Sequence, residues 1–477
     1  MYEVRQLIAG AWSADGAGGH QIVVNPADGR QISRFPVASK AEVGAAVKAA
    51  RDAAGRWAST APADRAAALR QAASAVEAAA DELAAAQTAE MGRPIHASRD
   101  AVAAGVATLR QYAELGPVHR GRLLAGDVAA IDLMAYQPRG VVAAITPWND
   151  PVGVSCGLLG AALVTGNTVI YKPSERTPAT GWLLIQKLAE HFPEGVLSLL
   201  TGAGEVGSML AAQDVDVVAH VGSSETGRAI AAACASTGAK VLLENGGSDP
   251  LLVDADVDPA WAAEQAALGA FANTGQLCTS VERIYVHRAA ASTFLEQLVR
   301  RCDELRAEPA PDAQWGPLVD RRHREHVHGH VRAAVSDGAR LLCGGEIPQG
   351  AGSFYPPTVL ADCTDEMTVM REETFGPVAP VMVVGSFDEA LSRAANSPYG
   401  LSATVLTASM AHAQRAWREL PVGTVKINSV FGGAPGGAAS PRRASGQGVG
   451  YGPELLDELT VTKAVHLGPP GGATTGW

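Results

Sequence analysis

Three side chains from separate parts of the chain offer a thiol, a carboxylate and a primary amide: Cys278 in FANTGQLCTS, Glu244 in LLENGG and Asn149 in ITPWND. As a thiolate, cysteine is a better nucleophile near neutral pH than any hydroxyl. An amide can donate to a developing oxyanion, and a carboxylate can activate the water that hydrolyses a thioester. These are the groups that covalent oxidation of an aldehyde needs. A lone cysteine is more often a small buried apolar residue, so the interpretation depends on the surrounding sequence.

Eight sequence motifs occur in a fixed order along the chain. They are ITPWND (145–150), GNTVIYKPSERTP (166–178), HVGSSETGR (220–228), LLENGGSDP (242–250), FANTGQLC (271–278), REETFGPVAPV (371–381), NSPYGLSATV (396–405) and GTVKIN (423–428). Together they resemble the NAD(P)-dependent aldehyde dehydrogenase superfamily. The resemblance extends over nearly the whole chain, from LIAGAW near the start to TVTKAVHL near the end.

The resemblance implies a role for each of the three residues. Cys278 would attack the aldehyde, while the Asn149 amide and the Cys278 backbone N–H would hold the oxyanion. Hydride would then pass to a nicotinamide, and Glu244 would act as general base in hydrolysing the thioester to a carboxylic acid. A family branch that releases acyl-CoA usually lacks this carboxylate, so Glu244 favours hydrolysis. Two alternatives stay open, a CoA-acylating or reductive semialdehyde dehydrogenase and a catalytically silent structural or binding homologue.

A cofactor site is indicated by loops that follow apolar runs. TGAGEVG (201–207) has the G-x-G-x-x-G spacing of a dinucleotide fingerprint, although a simple turn explains it equally well. HVGSSETGR is a turn entering a helix, whose free N–H groups suit a pyrophosphate. By resemblance, Glu175 accepts from ribose hydroxyls and would repel a 2′-phosphate, which predicts NAD as cofactor, with NADP possible. The predicted cofactor-binding residues are Ile145, Trp148, Lys172, Ser174, Glu175, Gly204, Ser223, Glu373 and Phe375.

The substrate tunnel is predicted from the residues after Asn149. Many relatives place an aromatic residue directly after this Asn and bulky residues at helical spacing beyond it. The corresponding positions here are Asp150, Val154 and Gly157, which predict a wider and more polar passage for small aldehydes bearing hydroxyl or amino groups. The alternative is that Asp150 turns away and caps the helix that Pro151 begins.

Two motifs of this chain differ from the family pattern. The usual E-L-G-G-K motif reads ENGGSD, with Asn245 and Ser248 in place of a Leu and a Lys. The P-F-G-G-x-K-x-S-G motif is broken up as APGGAASPRRASGQGVGYG (434–452), within a loop-like stretch. Relatives place an aromatic residue near the substrate mouth from this loop, and the sequence predicts that this aromatic is absent here.

The elements that must position these residues alternate between strand and helix. Ala-rich segments 41–58, 63–91 and 97–115 predict amphipathic helices that cover one face of a sheet. From residue 139, short β-branched runs alternate with helices, and a second such run begins near 251 and continues to 430. The fold class is therefore α/β. The resemblance implies a Rossmann-type cofactor domain, an α/β catalytic domain and a small β element that bridges subunits of a homodimer or homotetramer.

The domain boundaries that follow are 1–119 and 138–246 for the cofactor domain, 247–447 for the catalytic domain, and 120–137 with 448–477 for the oligomerisation element. Within the last, the hairpin 120–137 is expected to pair with a strand at 459–467.

Composition narrows the classes of binding partner and the cellular compartment that we expect for this protein. The chain has 477 residues and a net charge of -11, which disfavours nucleic acid and anionic membranes and leaves a small-molecule aldehyde as the expected partner. Six scattered cysteines without a C-x-x-C pair, and a start without a signal-peptide pattern, predict a cytoplasmic protein. His326 and His330 lie one helical turn apart, but a solvated helix face is the preferred interpretation, so no metal is predicted.

Overall fold

The computed structural model describes residues 1–305, 315–433, 437 and 439–468. The predicted oligomerisation element beyond 468 and part of the predicted loop 432–452 lie outside these residues. The strands, in chain order, are β1 Tyr2–Glu3, β2 Gln6–Ile8, β3 Ala11–Ser13, β4 His20–Val24, β5 Gln31–Pro36, β6 Arg122–Leu124, β7 Ile131–Pro138, β8 Val141–Ile145, β9 Thr168–Lys172, β10 Leu197–Leu199, β11 Val217–Val221, β12 Lys240–Glu244, β13 Asp249–Val253, β14 Val281–His287, β15 Arg340–Cys343, β16 Thr358–Ala361, β17 Val378–Val384, β18 Ser402–Leu406, β19 Thr424–Ile427, β20 Gly446–Gln447 and β21 Thr460–Leu467.

The helices are α1 Lys40–Ser59, α2 Pro62–Ala78, α3 Ala80–Met91, α4 Ile95–Leu115, α5 Pro151–Val164, α6 Pro178–Ala189, α7 Gly204–Ala211, α8 Ser224–Thr237, α9 Pro259–Phe271, α10 Arg288–Glu304, α11 Arg321–Ser336, α12 Thr368–Arg371, α13 Phe387–Ala395, α14 Met410–Glu419 and α15 Glu454–Glu458. The predicted helix 63–91 is divided in the structure, because Ala79 leaves the helical backbone (φ -101°, ψ 14°) between α2 and α3. No helix among the described residues is long and apolar enough to cross a membrane.

An eight-stranded sheet forms the first half of the molecule, with the strand order β20-β12-β11-β8-β9-β10-β2-β3. Its five central strands, β12 to β10 in that order, are parallel, as the alternating strand and helix pattern predicts. From β8 the chain moves first towards β10 and then returns to β11 on the other side. Strand order therefore reverses between β8 and β11, and the loops after these strands open a crevice of the kind that binds ligands in such sheets.

Helices cover both faces of this sheet. Side chains alternate along β8, so that Val141 and Ala143 pack with α1, while Val142 and Ala144 pack with α2 and α4. The prediction that the three N-terminal helical segments share one face is therefore wrong for the first part of α1, whereas Ala53 and Trp57 near its end pack in the same cluster as α2 and α4. Sequence periodicity shows that a helix has an apolar stripe, but not which side of the sheet it covers.

A second sheet of seven strands follows in the order β15-β16-β17-β14-β13-β18-β19, parallel except for the edge strand β15. Strand β12 ends at Glu244 in the first sheet, and β13 begins at Asp249 in the second. The chain thus passes between sheets close to the predicted boundary at 246. β20 returns to the edge of the first sheet, although it falls inside the predicted catalytic segment 247–447.

Two small three-stranded sheets complete the described fold. Strands β1, β5 and β4 form one three-stranded sheet, in which only the β1–β5 pairing is parallel. In the other, β7 pairs with β6 on one side and with β21 on the other, along the whole of 131–138 against 460–467. This second sheet contains the hairpin and the C-terminal strand that the resemblance pairs, and it exposes apolar side chains at Leu123, Val128 and Leu467.

Candidate active site

The loop that carries Cys278 is a tight left-handed turn between α9 and β14. Asn273, Thr274 and Gly275 have φ values of 50°, 59° and 72°, so three successive residues occupy the left-handed region. The Gln276 side chain fixes the turn, because its Oε1 accepts from Val319 N at 2.9 Å and its Nε2 donates to Asn273 O at 3.1 Å. A β-carbon at Gly275 would overlap the carbonyl oxygen of a neighbouring loop. Close packing and an unusual backbone together present Cys278 to the cleft.

Cys278 is the one exposed cysteine among the six, all of which lie within the described residues. Its thiol is accessible from the cleft, while protein atoms and four carboxylates surround the rest of the side chain. Burial, followed by the charges of Asp249, Glu244, Glu373 and Asp150, raises the pKa of the thiol to about 12. The resting thiol is therefore protonated at neutral pH, and reaction needs a further source of positive charge or a base.

Asn149 lies in the loop after β8, at the crevice where strand order reverses. The side chain is buried, and its Nδ2 donates to the carbonyl of Gln276 at 3.1 Å. This bond links the β8 loop to the Cys278 turn and fixes the direction of the amide. A primary amide has a second N–H, which is available for an oxyanion that forms beside Cys278.

Glu244 is the last residue of β12 and lines the same cleft as Cys278 and Asn149. Its Oε1 accepts from Gly450 N at 2.9 Å. Burial raises the pKa of this carboxyl to about 7, and the bond from Gly450 lowers it only in part. A carboxyl group with a pKa near neutrality can exchange protons with water during turnover.

Two adjoining cavities form one continuous groove along the carboxyl ends of the parallel strands. The first, about 370 Å³, contains the three predicted catalytic residues, and the second, about 670 Å³, extends from Trp148 towards Glu175. Trp148, Arg176 and Ser223 line both. All nine predicted cofactor-binding residues line one or both cavities, whereas Asp150, Val154 and Gly157 line neither.

At the far end of the groove, Lys172 and Glu175 follow β9. The Lys172 ammonium is buried and donates to Pro173 O and Gly202 O, both at 2.8 Å. Burial lowers the pKa of Lys172 to about 8, against the opposing influence of Glu175. Glu175 is partly exposed and accepts from the Ser174 hydroxyl at 3.4 Å. A cation and an anion therefore stand side by side at the carboxyl end of one strand.

The N-terminus of α8 faces the middle of the groove. Ser223 is the N-cap of this helix, and its hydroxyl accepts from Thr226 N at 3.3 Å. Gly222 packs closely against His220, because a β-carbon at position 222 would lie 2.6 Å from the His220 ring. His220 is buried, and neither ring nitrogen has a hydrogen-bond partner among the described residues. Burial lowers the pKa of His220 to about 4, so the ring is neutral.

Near Cys278, the groove is closed by the EETFGP loop. Glu282 holds this loop by accepting from Thr374 N at 3.0 Å and Phe375 N at 2.9 Å. Phe375 is left-handed, with φ 53°. Glu373 accepts from Gly247 N at 3.0 Å, and burial raises its pKa to about 8.

Several residues of the groove have no sequence signal that would have identified them. His323 lies 2.7 Å from the Phe375 carbonyl through Nε2 and packs edge-on against Trp148. Arg176 lies over the same Trp148 ring at 5.2 Å and pairs with Asp320 at 3.0 Å. His323 and Arg176 thus each contact Trp148 from a different segment of the chain. His326 and His330 belong to no group of three or more His, Cys, Asp or Glu side chains that could hold a metal ion, since the described residues contain no such group.

Of the predicted tunnel residues, Asp150 precedes α5, and Val154 and Gly157 lie on it; the structure corrects one expectation about them. Asp150 is the N-cap residue of α5, but its side chain makes no capping bond, so the alternative that it acts as a cap is wrong. The C-terminal segment places an aromatic side chain against the same helix, and the absence of an aromatic at the substrate mouth stays a prediction. Tyr451 lies against α5, with Cε2 3.0 Å from where a β-carbon at Gly157 would stand. Val154 is partly buried on the same helix.

Comparison with known proteins adds independent findings. The Aldehyde dehydrogenase family model matches residues 12–465. A betaine aldehyde dehydrogenase of Cereibacter sphaeroides (strain ATCC 17023) is 35% identical over 459 residues, which cover 94% of this chain and 93% of that protein. The crystal structure of an NAD-dependent aldehyde dehydrogenase from Sinorhizobium meliloti has a TM-score of 0.94 at 33% identity and covers 99% and 96% of the two chains. An indole-3-acetaldehyde dehydrogenase in complex with NAD+ has a TM-score of 0.95 at 33% identity and covers 98% and 97%.

Proposed function

The chain belongs to the aldehyde dehydrogenase family, and on that premise we propose that Cys278, Asn149 and Glu244 oxidise an aldehyde to a carboxylic acid with NAD as cofactor. The resemblance, the fold class and the enzyme class predicted from the sequence are confirmed. The roles of individual residues are our proposal. The observation that carries it is that the exposed Cys278 stands in one cleft with Asn149 and Glu244, at the end of a long groove.

The order of chemical groups along the groove fits a dinucleotide. Lys172 and Glu175 lie at its far end, the N-terminus of α8 faces its middle, and Cys278 lies at its near end. The ring nitrogens of His220 have no partner among the described residues, which suits a polar ligand in this position. Helix N-termini favour phosphate groups, and a carboxylate such as Glu175 favours ribose hydroxyls over a 2′-phosphate.

The proposed reaction begins when the Cys278 sulfur bonds to the aldehyde carbon. Asn149 Nδ2 and the Cys278 backbone N–H stabilise the resulting oxyanion, which Asn149 can do because its bond to Gln276 holds the amide in place. NAD, when bound, supplies the hydride acceptor and a positive charge that favours the thiolate. Loss of a hydride from the carbon to that acceptor would leave a thioester on Cys278. Glu244 then removes a proton from water, and the water oxygen bonds to the thioester carbon. The carbon–sulfur bond breaks, the proton held by Glu244 passes to the sulfur, and the carboxylic acid leaves as the Cys278 thiol is restored.

We also propose an oligomeric state, a cellular compartment and a domain division for this protein. Exposed apolar side chains on the sheet of β6, β7 and β21 support a homodimer or homotetramer joined through this element. The six cysteines are free, which supports a reducing compartment such as the cytoplasm. The domain division at 246 is supported by the passage of the chain from one large sheet to the other.

A direct test uses the purified protein with NAD and a panel of short aldehydes. We expect NADH formation that is lost in Cys278→Ala and on thiol alkylation, while NAD binding, measured by quenching of tryptophan fluorescence, stays close to wild type. Cys363→Ala, at a buried cysteine that lines neither cavity of the groove, is the matched control and should keep its activity. Acceleration by CoA would favour the acyl-CoA-forming alternative. Absence of NADH formation with every aldehyde would favour the silent homologue.

A further inference from the structure

His220 is a buried polar side chain in the wall of the groove, and it belongs to none of the predicted sites. It lies near the end of β11, is only 5% exposed and lines the larger groove cavity. Neither Nδ1 nor Nε2 has a hydrogen-bond partner among the described residues. A buried polar atom without a partner destabilises a fold, whereas an apolar ring of the same shape would not. The ring nitrogens therefore suit a partner that enters the cavity.

The sheet fixes where in the cavity this ring lies. Ile145 on β8 pairs with His220 on one side and with Lys172 on the other. Neighbouring strands are about 4.8 Å apart, so the Cα atoms of His220 and Lys172 are about 10 Å apart. Side chains alternate along β11, so His220 faces the same side as Val218, which packs with α7 and α8. His220 thus lies two strands away from Lys172, on the side of α8.

The loop that leads from His220 into α8 packs directly on the ring. A β-carbon at Gly222 would lie 2.6 Å from Cε1 and 2.7 Å from Nε2 of His220. The next residue, Ser223, is the N-cap of α8, a helix of 14 residues. Free backbone N–H groups at the N-terminus of a helix favour an anion. The unpartnered ring therefore lies beside the anion-binding end of α8.

In the unliganded protein this ring is a neutral hydrogen-bonding group. Burial lowers the pKa of His220 to about 4; the nearby Ile145 backbone opposes this, and the charge of Lys172 adds to it. Ile145 nevertheless forms no hydrogen bond of ordinary geometry with either ring nitrogen. A neutral imidazole has one N–H donor and one acceptor nitrogen. The other charged side chains that line this cavity are Glu175, Arg176, Glu225 and Arg322.

We propose that His220 donates its ring N–H to the diphosphate of the dinucleotide cofactor, next to the N-terminus of α8. This proposal rests on the function proposed above. The diphosphate would then be held by two kinds of donor, the backbone N–H groups of α8 and the imidazole of His220. Gly222 allows both to reach one group, because any larger residue there would push the loop away from the ring. A hydrogen bond to a charged phosphate is stronger than one between neutral groups.

The experiment uses isothermal titration calorimetry to compare adenosine with ADP, which share the adenosine group and differ by the diphosphate. The wild type should bind ADP more tightly than adenosine. His220→Phe keeps a ring but removes both nitrogens, so the Kd for ADP should rise about tenfold while the Kd for adenosine stays within about twofold. The Kd for NAD should rise with that for ADP. His220→Gln keeps an N–H donor and should bind ADP within about threefold of wild type.

His96→Phe, the same substitution at an exposed histidine of α4 that lines neither groove cavity, is the matched control and should bind both ligands as the wild type does. His220→Leu repeats the test with a smaller side chain, and thermal melting without ligand reports whether each variant is folded. Unchanged ADP affinity in folded His220→Phe or His220→Leu, or equal losses for adenosine and ADP, would overturn the role of His220. A wild-type protein that binds neither ADP nor NAD would instead overturn the proposed function, so the two failures are distinguishable.

Discussion

Glu244 gives the sharpest prediction about the chemistry, because its environment places its titration within the working pH range. Burial raises the pKa of this carboxyl from 4.5 to about 7. A raised carboxyl pKa means that the carboxylate, which is the form able to act as a base, is lost as the pH falls through 7. About a tenth of Glu244 is ionised at pH 6 and about nine tenths at pH 8, whereas a carboxyl with the ordinary pKa is almost fully ionised at both.

Steady-state turnover limited by thioester hydrolysis should therefore rise about tenfold between pH 6 and pH 8. Glu244→Gln keeps an oxygen for the Gly450 N–H but removes the base. We expect hydrolysis to slow about 100-fold to 1,000-fold and to lose its pH dependence. Acylation should continue, so stopped-flow absorbance should record a burst of NADH near one equivalent per Cys278. Glu225→Gln, which removes another carboxylate from the groove wall, should keep the wild-type pH profile.

Three results would refute this reasoning. A midpoint below about pH 5.5 would mean that burial does not control the Glu244 pKa. An unchanged pH profile in Glu244→Gln would assign the titration to another group. Loss of the burst would give Glu244 an earlier role, in activating the thiol.

The remaining predictions concern cofactor choice and the backbone around the reaction centre. Glu175→Ser should weaken NAD binding and improve the use of NADP, because it removes ribose contacts and a repulsion; equal efficiency of the wild type with both cofactors would contradict this. Gly275→Ala should lower kcat/KM by about 100-fold, because its β-carbon would overlap the Gly376 carbonyl oxygen and displace the Cys278 turn; retention of half the activity would show that this packing is dispensable. Gly450→Ala should displace Glu244 and slow hydrolysis while leaving the NADH burst, and an unchanged steady-state rate would show that the carboxylate adapts.

Local motifs made much of the fold and groove predictable. Alternating strand and helix predicted the parallel sheets, and many of the proposed functional groups lie at the end of a strand or in the segment that follows it. Glu244 ends β12, Asn149 follows β8 and Glu175 follows β9. Parallel strands bring such segments to one edge, so local pattern and family resemblance together indicate a common site. The proposed catalytic and cofactor roles of these residues stay predictions until they are measured.

The features that the sequence did not predict depend on pairs far apart in the chain. Arg93 donates to Asp150 Oδ1 at 3.2 Å across 57 positions of the chain, and the hydroxyls of Thr108 and Tyr451 lie 3.2 Å apart across 343 positions. No motif links the two partners of either pair, and whether Asp150 caps a helix or forms an ion pair depends on where Arg93 lies after folding. The face of the sheet that α1 covers is a similar case, because the apolar stripe of a helix is compatible with either side. Tyr451 was missed because the broken C-terminal motif displaced the expected position of an aromatic.

The central claim is that oxidation proceeds through a thioester on Cys278. Glu244→Gln should accumulate this intermediate, so the variant mixed with NAD and an aldehyde can be quenched in acid and digested. Mass spectrometry should then find an acyl group on the peptide that contains Cys278, in an amount that matches the NADH burst, and no acyl group in Glu244→Gln combined with Cys278→Ala. A full NADH burst with an unmodified Cys278 peptide, or with the acyl group on another residue, would contradict the account.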